Sequence, residues 1–276
     1  MPSIIRILTA DKLQPAPYTA GSLADAAQYE PHDGVYTVTN TYEHTKTLKL
    51  AAHLDRLEDS AARSGIPLSL DRLRLREALR RMIVESGYGD VRFRITVPKA
   101  EPDQFILTIE PYTPPSDTLV QHGIRVITVA NSARHNAAAK TTDWLHDREA
   151  LEKSLPQGVY TALLCDEAGY LLEGLSSNFY AILSGELRTA SAGVLPGIAQ
   201  QIVFEVAPTL LSLRKDAVHH DDIPRLDEAF ITSSSRGIIP VIQIDDYVLG
   251  DGTPGVQTRR LRAAYQAWVQ AHLEEL

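Results

Sequence analysis

The 276-residue chain reads as an α/β protein built from two units. Three observations predict this. Runs of β-branched and aromatic residues alternate with runs of helical period along the whole length. The polar segment TPPSDTLVQHG (113–123) carries two prolines, interrupts that alternation and reads as a linker. The length suits two modest domains or one large one, and is long enough to bury real cores. The expected division is a small N-terminal α/β domain over 1–112, the linker 113–123, and a large C-terminal domain over 124–276.

Each element has a local reason. GVYTVTNTY (34–42) is β-branched and aromatic, as a strand requires. Leu50, Leu54, Leu57 and Ala61 fall on one helical face, and Gly65 and Pro67 end that helix. A second helix is expected after Ser69 as N-cap, running to Ser86 and stopped by Gly87. VRFRITV (91–97) and QFILTIEPY (104–112) read as an antiparallel pair joined by PKAEPD. Beyond the linker, IRVITVA is a strand and 143–154 a helix. VYTALLCDEAGYLLEG reads as a hairpin turning at Asp166–Gly169, and NFYAIL and ELRTA extend its sheet. Helix signals follow at 197–207, then the strands AFITSS and GIIPVIQID around a serine loop, then an amphipathic helix over 256–274.

Composition narrows the function. The net charge of −8 argues against nucleic acid as the default partner, since binding phosphates needs a basic surface. DRLRLREALRR is a local basic stretch, and a solvated helix face explains it. The lone Cys165 allows no intramolecular disulfide and no cysteine-based zinc site, and its apolar run VYTALLC suits a buried thiol. The N-terminal apolar run is too short for a signal peptide, and no run reaches the length of a membrane span. A cytoplasmic protein with no membrane partner is the simplest expectation. His219-His220-Asp221-Asp222 carries ligand types, but adjacent residues converge poorly on one ion, so no metal is expected. The common nucleotide fingerprints and the hydrolase elbow G-x-S-x-G are missing.

Five pieces remain. Lys140, in AKTTDW, offers an amine that becomes a nucleophile when desolvation or neighbours lower its pKa; surface decoration is the ordinary alternative. Glu173 ends the apolar strand YLLEG, so its carboxylate needs a partner: a protonated ring nitrogen, or a structural salt bridge. Leu195-Pro196-Gly197-Ile198-Ala199 opens a helix whose free amides favour an anion, as every helix start does. Ser233-Ser234-Ser235 offers hydroxyls and amides for a phosphate, or is an ordinary loop. Arg56, in HLDRL, suits a phosphate or a surface ion pair. Taken together they describe one ligand with an aldehyde, a ring nitrogen and a phosphate, which are the three handles of pyridoxal 5′-phosphate.

In these residues the chain resembles the class IV aminotransferases, the fold-type IV pyridoxal-phosphate enzymes. That family includes branched-chain and D-amino acid aminotransferases, (R)-amine transaminases and 4-amino-4-deoxychorismate lyase. DGVY (33–36), HLDRL (53–57), AKTT (139–142), LEGLSSNFYAI (172–182), LPGIAQQ and ITSSSRGIIPVIQID are similar to its motifs and stand in family order. The spacing is 33 residues from Lys140 to Glu173 and 25 from Glu173 to Ile198. The resemblance implies an α+β small domain with a larger α/β pseudo-barrel domain, and a homodimer. It implies an amino group moved from an amino acid or primary amine to a 2-oxo acid through a Schiff base on Lys140. Glu173 would pair with the ring nitrogen; Arg56, Gly197, Ile198, Ala199, Ser233 and Ser234 would hold the phosphate; Leu195 would pack on the ring. Tyr36, Arg94, Ser235 and Arg236 are the substrate candidates. Arg94 alternates with apolar residues in VRFRITV, so it faces either a substrate carboxylate or solvent. A lyase of the aminodeoxychorismate type is the alternative enzyme, and a silent cofactor-binding homologue is the third reading. Departures motivate them. Ala199-Gln200 stands where the family has Thr-Arg, Pro31-His32 replaces an aromatic-glycine pair, Trp144 stands where a tyrosine is common, and PKAEPD lacks the R-x-H loop.

Overall fold

The computed structural model describes residues 1–276. In chain order the elements are β1 (Ile4–Leu8), β2 (Leu13–Pro15), α1 (Leu23–Ala27), β3 (Val35–Asn40), β4 (Lys46–Leu48), α2 (Leu50–Arg63) and α3 (Arg72–Ser86). There follow β5 (Val91–Val97), β6 (Phe105–Pro111), α4 (Asp117–His122), β7 (Ile124–Val129) and α5 (Thr142–Lys153). Then come β8 (Thr161–Cys165), β9 (Leu171–Gly174), β10 (Ser177–Leu183), β11 (Glu186–Arg188), α6 (Ile198–Val206) and β12 (Ser212–Arg214). The chain closes with β13 (Glu228–Ser233), β14 (Gly237–Ile244), β15 (Tyr247–Val248), α7 (Val256–Ala271) and β16 (Leu273–Glu275).

Contacts gather the residues into two units: Met1–Thr113 with Ala139–Asp147 and His272–Leu276, and Pro114–Ala138 with Arg148–Ala271. Two departures from the expected division have plain causes. Thr141 bridges to Val35 and β16 pairs with β4, so the lysine segment and the last residues belong with the first unit. The expected linker 113–123 is not structureless: Ser116 caps α4 by accepting from the Leu119 amide.

In the first unit a five-stranded antiparallel sheet runs β2-β1-β6-β5-β3. One face is apolar. Val35, Val91, Phe93, Ile95, Val97, Leu107 and Ile109 pack there with Leu50, Leu54, Leu57 and Ala61 of α2 and with Leu75, Leu79 and Met82 of α3. The leucine stripe read from the sequence is therefore the buried face of α2. The N-cap of α3 is Asp71, whose side chain accepts from the Arg74 amide, rather than Ser69. Gly87 ends that helix in the left-handed conformation, φ 65°.

In the second unit β10, β13, β14, β7, β8 and β9 are joined edge to edge, and β9 pairs with both β8 and β10, which closes a six-stranded barrel-like ring. Val126, Leu163, Phe179, Ala181, Ile231, Ile239 and Val241 are among its core residues. Burial on both sides explains why β8 and β10 read as unbroken apolar runs. The last helix stops at Ala271, earlier than its amphipathic pattern suggests, because Leu273–Glu275 pairs with Lys46–Leu48.

Phe93, fully enclosed between β3, β6 and the helices, tests the first core. Phe93→Ala should lower unfolding free energy by about 3–5 kcal/mol, measured by urea denaturation. A loss near zero would show that this face is not the unit's core.

Candidate active site

Within the first unit, Lys140 is held by its backbone on both sides. Its N–H donates to Ser60 Oγ at 3.0 Å, and its carbonyl accepts from the Tyr36 amide at 3.0 Å. Thr142 completes the splice: its Oγ1 accepts from the Gly34 amide at 2.7 Å and donates to the Gly34 carbonyl, and its amide donates to that same carbonyl. AKTT thus lies as a short extra rung along DGVY. Gly34 is required there, since a Cβ would meet the Val97 carbonyl oxygen at 2.7 Å. Lys140 Nζ lies over the Tyr36 ring, 4.5 Å from its centroid, and the Tyr36 side chain is buried.

Arg56 and His53 share α2 in the same unit. His53 is buried and its Nδ1 sits 2.9 Å from Thr37 Oγ1. Burial, with the positive charges of Arg56 and Lys140 behind it, holds the imidazole well below its ordinary value of 6.5. A neutral ring is the result. Arg94, a substrate candidate, is neither solvated nor open: its Nε and Nη2 donate to Glu30 Oε1 at 3.0 and 2.5 Å.

The second unit carries the remaining candidates. Glu173, at the end of β9, is buried; its Oε1 accepts from Arg134 Nη1 at 3.0 Å and its Oε2 from the Leu195 amide at 3.1 Å. Asn178, in β10, donates from Nδ2 to the Leu195 carbonyl at 2.9 Å. The loop before α6 is therefore pinned at Leu195 through both backbone groups. Gly197 follows as N-cap and offers no side chain to the first turn, so the amides of Ile198 and Ala199 open α6 without side-chain capping. A Cβ on Gly197 would collide with the Asn178 side-chain oxygen. Gln200 turns inward, and its Nε2 donates to the Ala190 carbonyl at 3.3 Å.

Ser233 ends β13 and Gly237 opens β14 across a turn that carries Ser234, Ser235 and Arg236. Arg236 braces that turn. Its Nε donates to Ser233 Oγ at 2.8 Å, its Nη2 to the Ser176 carbonyl and hydroxyl at 2.9 Å each, and its Nη1 to Tyr160 Oη at 3.2 Å. The turn before β10 at Ser176 and the end of β13 at Ser233 are thereby tied together.

Sequence reasoning missed four polar residues: Arg134, Asn178, Glu30 and His53. Asn178 and His53 sat inside the motifs LEGLSSNFYAI and HLDRL and were passed over beside their neighbours. Arg134 stands 39 positions from Glu173 and Glu30 stands 64 from Arg94, beyond the reach of any local spacing rule. No group of three or more His, Cys, Asp and Glu side chains gathers as a metal site, and no helix is long and apolar enough to cross a membrane.

Comparison with known proteins bears on this arrangement. The family model for amino-transferase class IV matches residues 34–244. A putative branched-chain-amino-acid aminotransferase of Methanocaldococcus jannaschii is 30% identical over 258 residues, covering 85% of this chain and 86% of that one. A D-alanine aminotransferase of Bacillus licheniformis is 29% identical, over 86% of this chain and 88% of that one. The structure of a branched-chain amino acid aminotransferase from T.th. with pyridoxamine 5′-phosphate superposes with a TM-score of 0.84 at 21% identity, covering 98% of each chain. The chain belongs to the class IV aminotransferases. It is a transaminase with the fold-type IV architecture, and its cofactor is pyridoxal 5′-phosphate.

The neutral His53 couples stability to pH. Unfolded, it titrates near 6.5; folded, well below. Between those values the unfolded chain binds the extra proton. Its contribution is therefore complete above the unfolded value and is lost as pH falls beneath it, by up to about 1.4 kcal/mol per pH unit. Urea denaturation of the wild type and His53→Gln across this range should show a shallower slope in the variant. Identical slopes would remove His53 from the account.

Proposed function

We propose that this transaminase moves an amino group from an amino acid or primary amine to a 2-oxo acid, with Lys140 as the catalytic residue. The placement of Lys140 carries the reading: its backbone is fixed by Ser60 and Tyr36, and its ammonium lies over an aromatic face. The residue chemistry fits pyridoxal phosphate. A primary amine suits the aldehyde. The buried carboxylate of Glu173 suits a ring nitrogen that carries a proton. An α-helix start without a side-chain cap suits a phosphate.

When bound, the cofactor supplies an aldehyde that takes the amino group and a ring that accepts the electron pair left at the substrate carbon. Lys140 would hold the cofactor through its amine and would carry the proton to and from the substrate Cα. Glu173 would meet the ring nitrogen, and Arg134, already bonded to the same carboxylate, orients it. On the family likeness, Arg56, the amides of Ile198 and Ala199, and the hydroxyls of Ser233 and Ser234 would hold the phosphate, and Gly197 would leave the approach clear. The alanine at 199 removes a hydroxyl but leaves its amide. Leu195, pinned at both backbone groups, would pack on the ring. Tyr36 and Ser235 meet the substrate, and Arg236 positions Ser235 by fixing the turn that bears it.

The test is a half-reaction screen. Mixing holoenzyme with L- and D-amino acids and amines should bleach the visible absorbance of the lysine-bound cofactor and yield its aminated form. Lys140→Ala should lack that absorbance and lose turnover by at least about a hundredfold. Retention of the band in the variant, or oxo product with no aminated cofactor in the wild type, would overturn the proposal.

We infer, on the family likeness, that the enzyme is a homodimer. Light scattering at micromolar concentration should give twice the chain mass of 30.4 kDa, and a mass equal to one chain would refute this.

A further inference from the structure

The second face of the first unit's sheet differs from the apolar one. Strand alternation and register place Tyr36 and Val38 of β3, Arg94 and Thr96 of β5, and Ile106 and Thr108 of β6 together on it. Tyr36 pairs directly with Thr96, and Val38 with Arg94, so this is the face over which the Lys140 ammonium lies. The segment from Ser22 to Glu30 covers part of it. The Leu23 amide donates to Glu110 Oε2 at 2.7 Å, and Ala27 packs with Tyr36 and Val38.

Glu30 ends that segment inside a nest of donors. Arg94 gives Oε1 two bonds, from Nε and Nη2, and Thr96 Oγ1 donates to Oε2 at 2.6 Å. The Glu30 side chain is wholly enclosed, and that of Arg94 is 4% exposed. More donors stand by than one carboxylate uses. Thr108 Oγ1, on the strand next to Arg94, is buried without a hydrogen-bond partner, as is Tyr18 Oη. Burial first, then the Glu30 charge, pushes the Tyr18 phenol up to about 12, so it stays protonated and able to donate.

The geometry points to Glu30 as a specificity-determining residue: an internal carboxylate seated in a carboxylate-binding site on the Tyr36 face, where it denies Arg94 to a carboxylate of the substrate. This rests on Lys140 being the catalytic residue. Glu30 takes the Nε–Nη2 edge of the guanidinium, and with the Arg94 side chain only 4% exposed that edge is closed to a second carboxylate. Glu30 and Arg94 together are neutral, so the wall beside Tyr36 offers no net charge to draw in a substrate anion. The groups of amino donor and oxo acceptor that meet this wall are therefore uncharged. With Glu30 gone, Arg94, Thr96, Thr108 and Tyr18 become a site for a carboxylate brought by the substrate.

The experiment compares wild-type holoenzyme with Glu30→Ala and Glu30→Gln, the second keeping the shape should the first fold poorly. Ethylamine, alanine and aspartate form a series that adds one carboxylate at a time. In Glu30→Ala, the half-reaction efficiency ratio alanine/ethylamine or aspartate/alanine should rise at least about tenfold over wild type; whichever moves identifies the carboxylate received. Glu30→Gln should move the same ratio less, since its amide still fills the nest. A second readout needs no cofactor: sodium acetate, against chloride at equal ionic strength, should raise the thermal midpoint of Glu30→Ala but not that of wild type. Unchanged ratios in enzymes that still react with donors would overturn the role of Glu30 and leave the transaminase reading intact. If wild type reacts with no donor, the transaminase reading falls, and absence of acetate-specific stabilisation in Glu30→Ala would then overturn the carboxylate site as well.

Discussion

The position of the Lys140 amine depends on a backbone splice rather than on the side chain itself. A lysine has four rotatable carbons, and nothing in its own structure fixes where the amine goes. Here the Lys140 carbonyl and the Thr142 side chain and amide are bound to Tyr36 and Gly34 at the start of β3. The register of AKTT against DGVY therefore decides that Nζ emerges over the Tyr36 ring. A slip of one residue would send the side chain to the other face. The absent Cβ of Gly34 permits the approach, and β5 behind it, through the Val97 carbonyl, leaves no room for one.

Buried charge follows a second constraint. A carboxylate taken out of water must be met by donors, or it takes up a proton. Glu173 is met within the second unit by Arg134 and by the Leu195 amide. Such a pair is weak evidence for stability, because the desolvation of two ions offsets most of their attraction. Its value is positional: the carboxylate cannot swing away without uncovering Arg134, and it anchors the loop that leads into α6. Stability comes instead from the leucines of α2 and α3 against the sheet and from the barrel core.

Much of this was legible in the sequence, for reasons that also mark where reading stops. The stripe Leu50, Leu54, Leu57 and Ala61 announced α2 because a helix of period 3.6 has to bury it. The candidate site motifs are grouped because their residue types suit one cofactor, and their order comes from the family they resemble. Short edge strands such as β2, β4 and β12, each of three residues, carry too few positions for any period to show. Ser69 is a residue type that can cap a helix, but the backbone places the cap at Asp71. VRFRITV could not reveal that Arg94 is buried. Alternation separates two faces of a strand but says nothing of whether a distant segment covers one of them.

That last point bears on how substrate range is set in such a fold. Lys140, Tyr36 and Arg94 lie on elements whose register is fixed by β3, β5 and β6. The residue that decides what Arg94 offers sits outside them, on the covering segment that ends at Glu30. Changing the register would dismantle the sheet, whereas changing one residue on the cover alters only what the arginine meets. If Glu30 acts as proposed, substrate preference can change on the covering segment while the lysine, its ring neighbour and the sheet beneath them stay unchanged. The arrangement separates the chemistry, which needs fixed geometry, from selection, which needs only a different partner for one guanidinium.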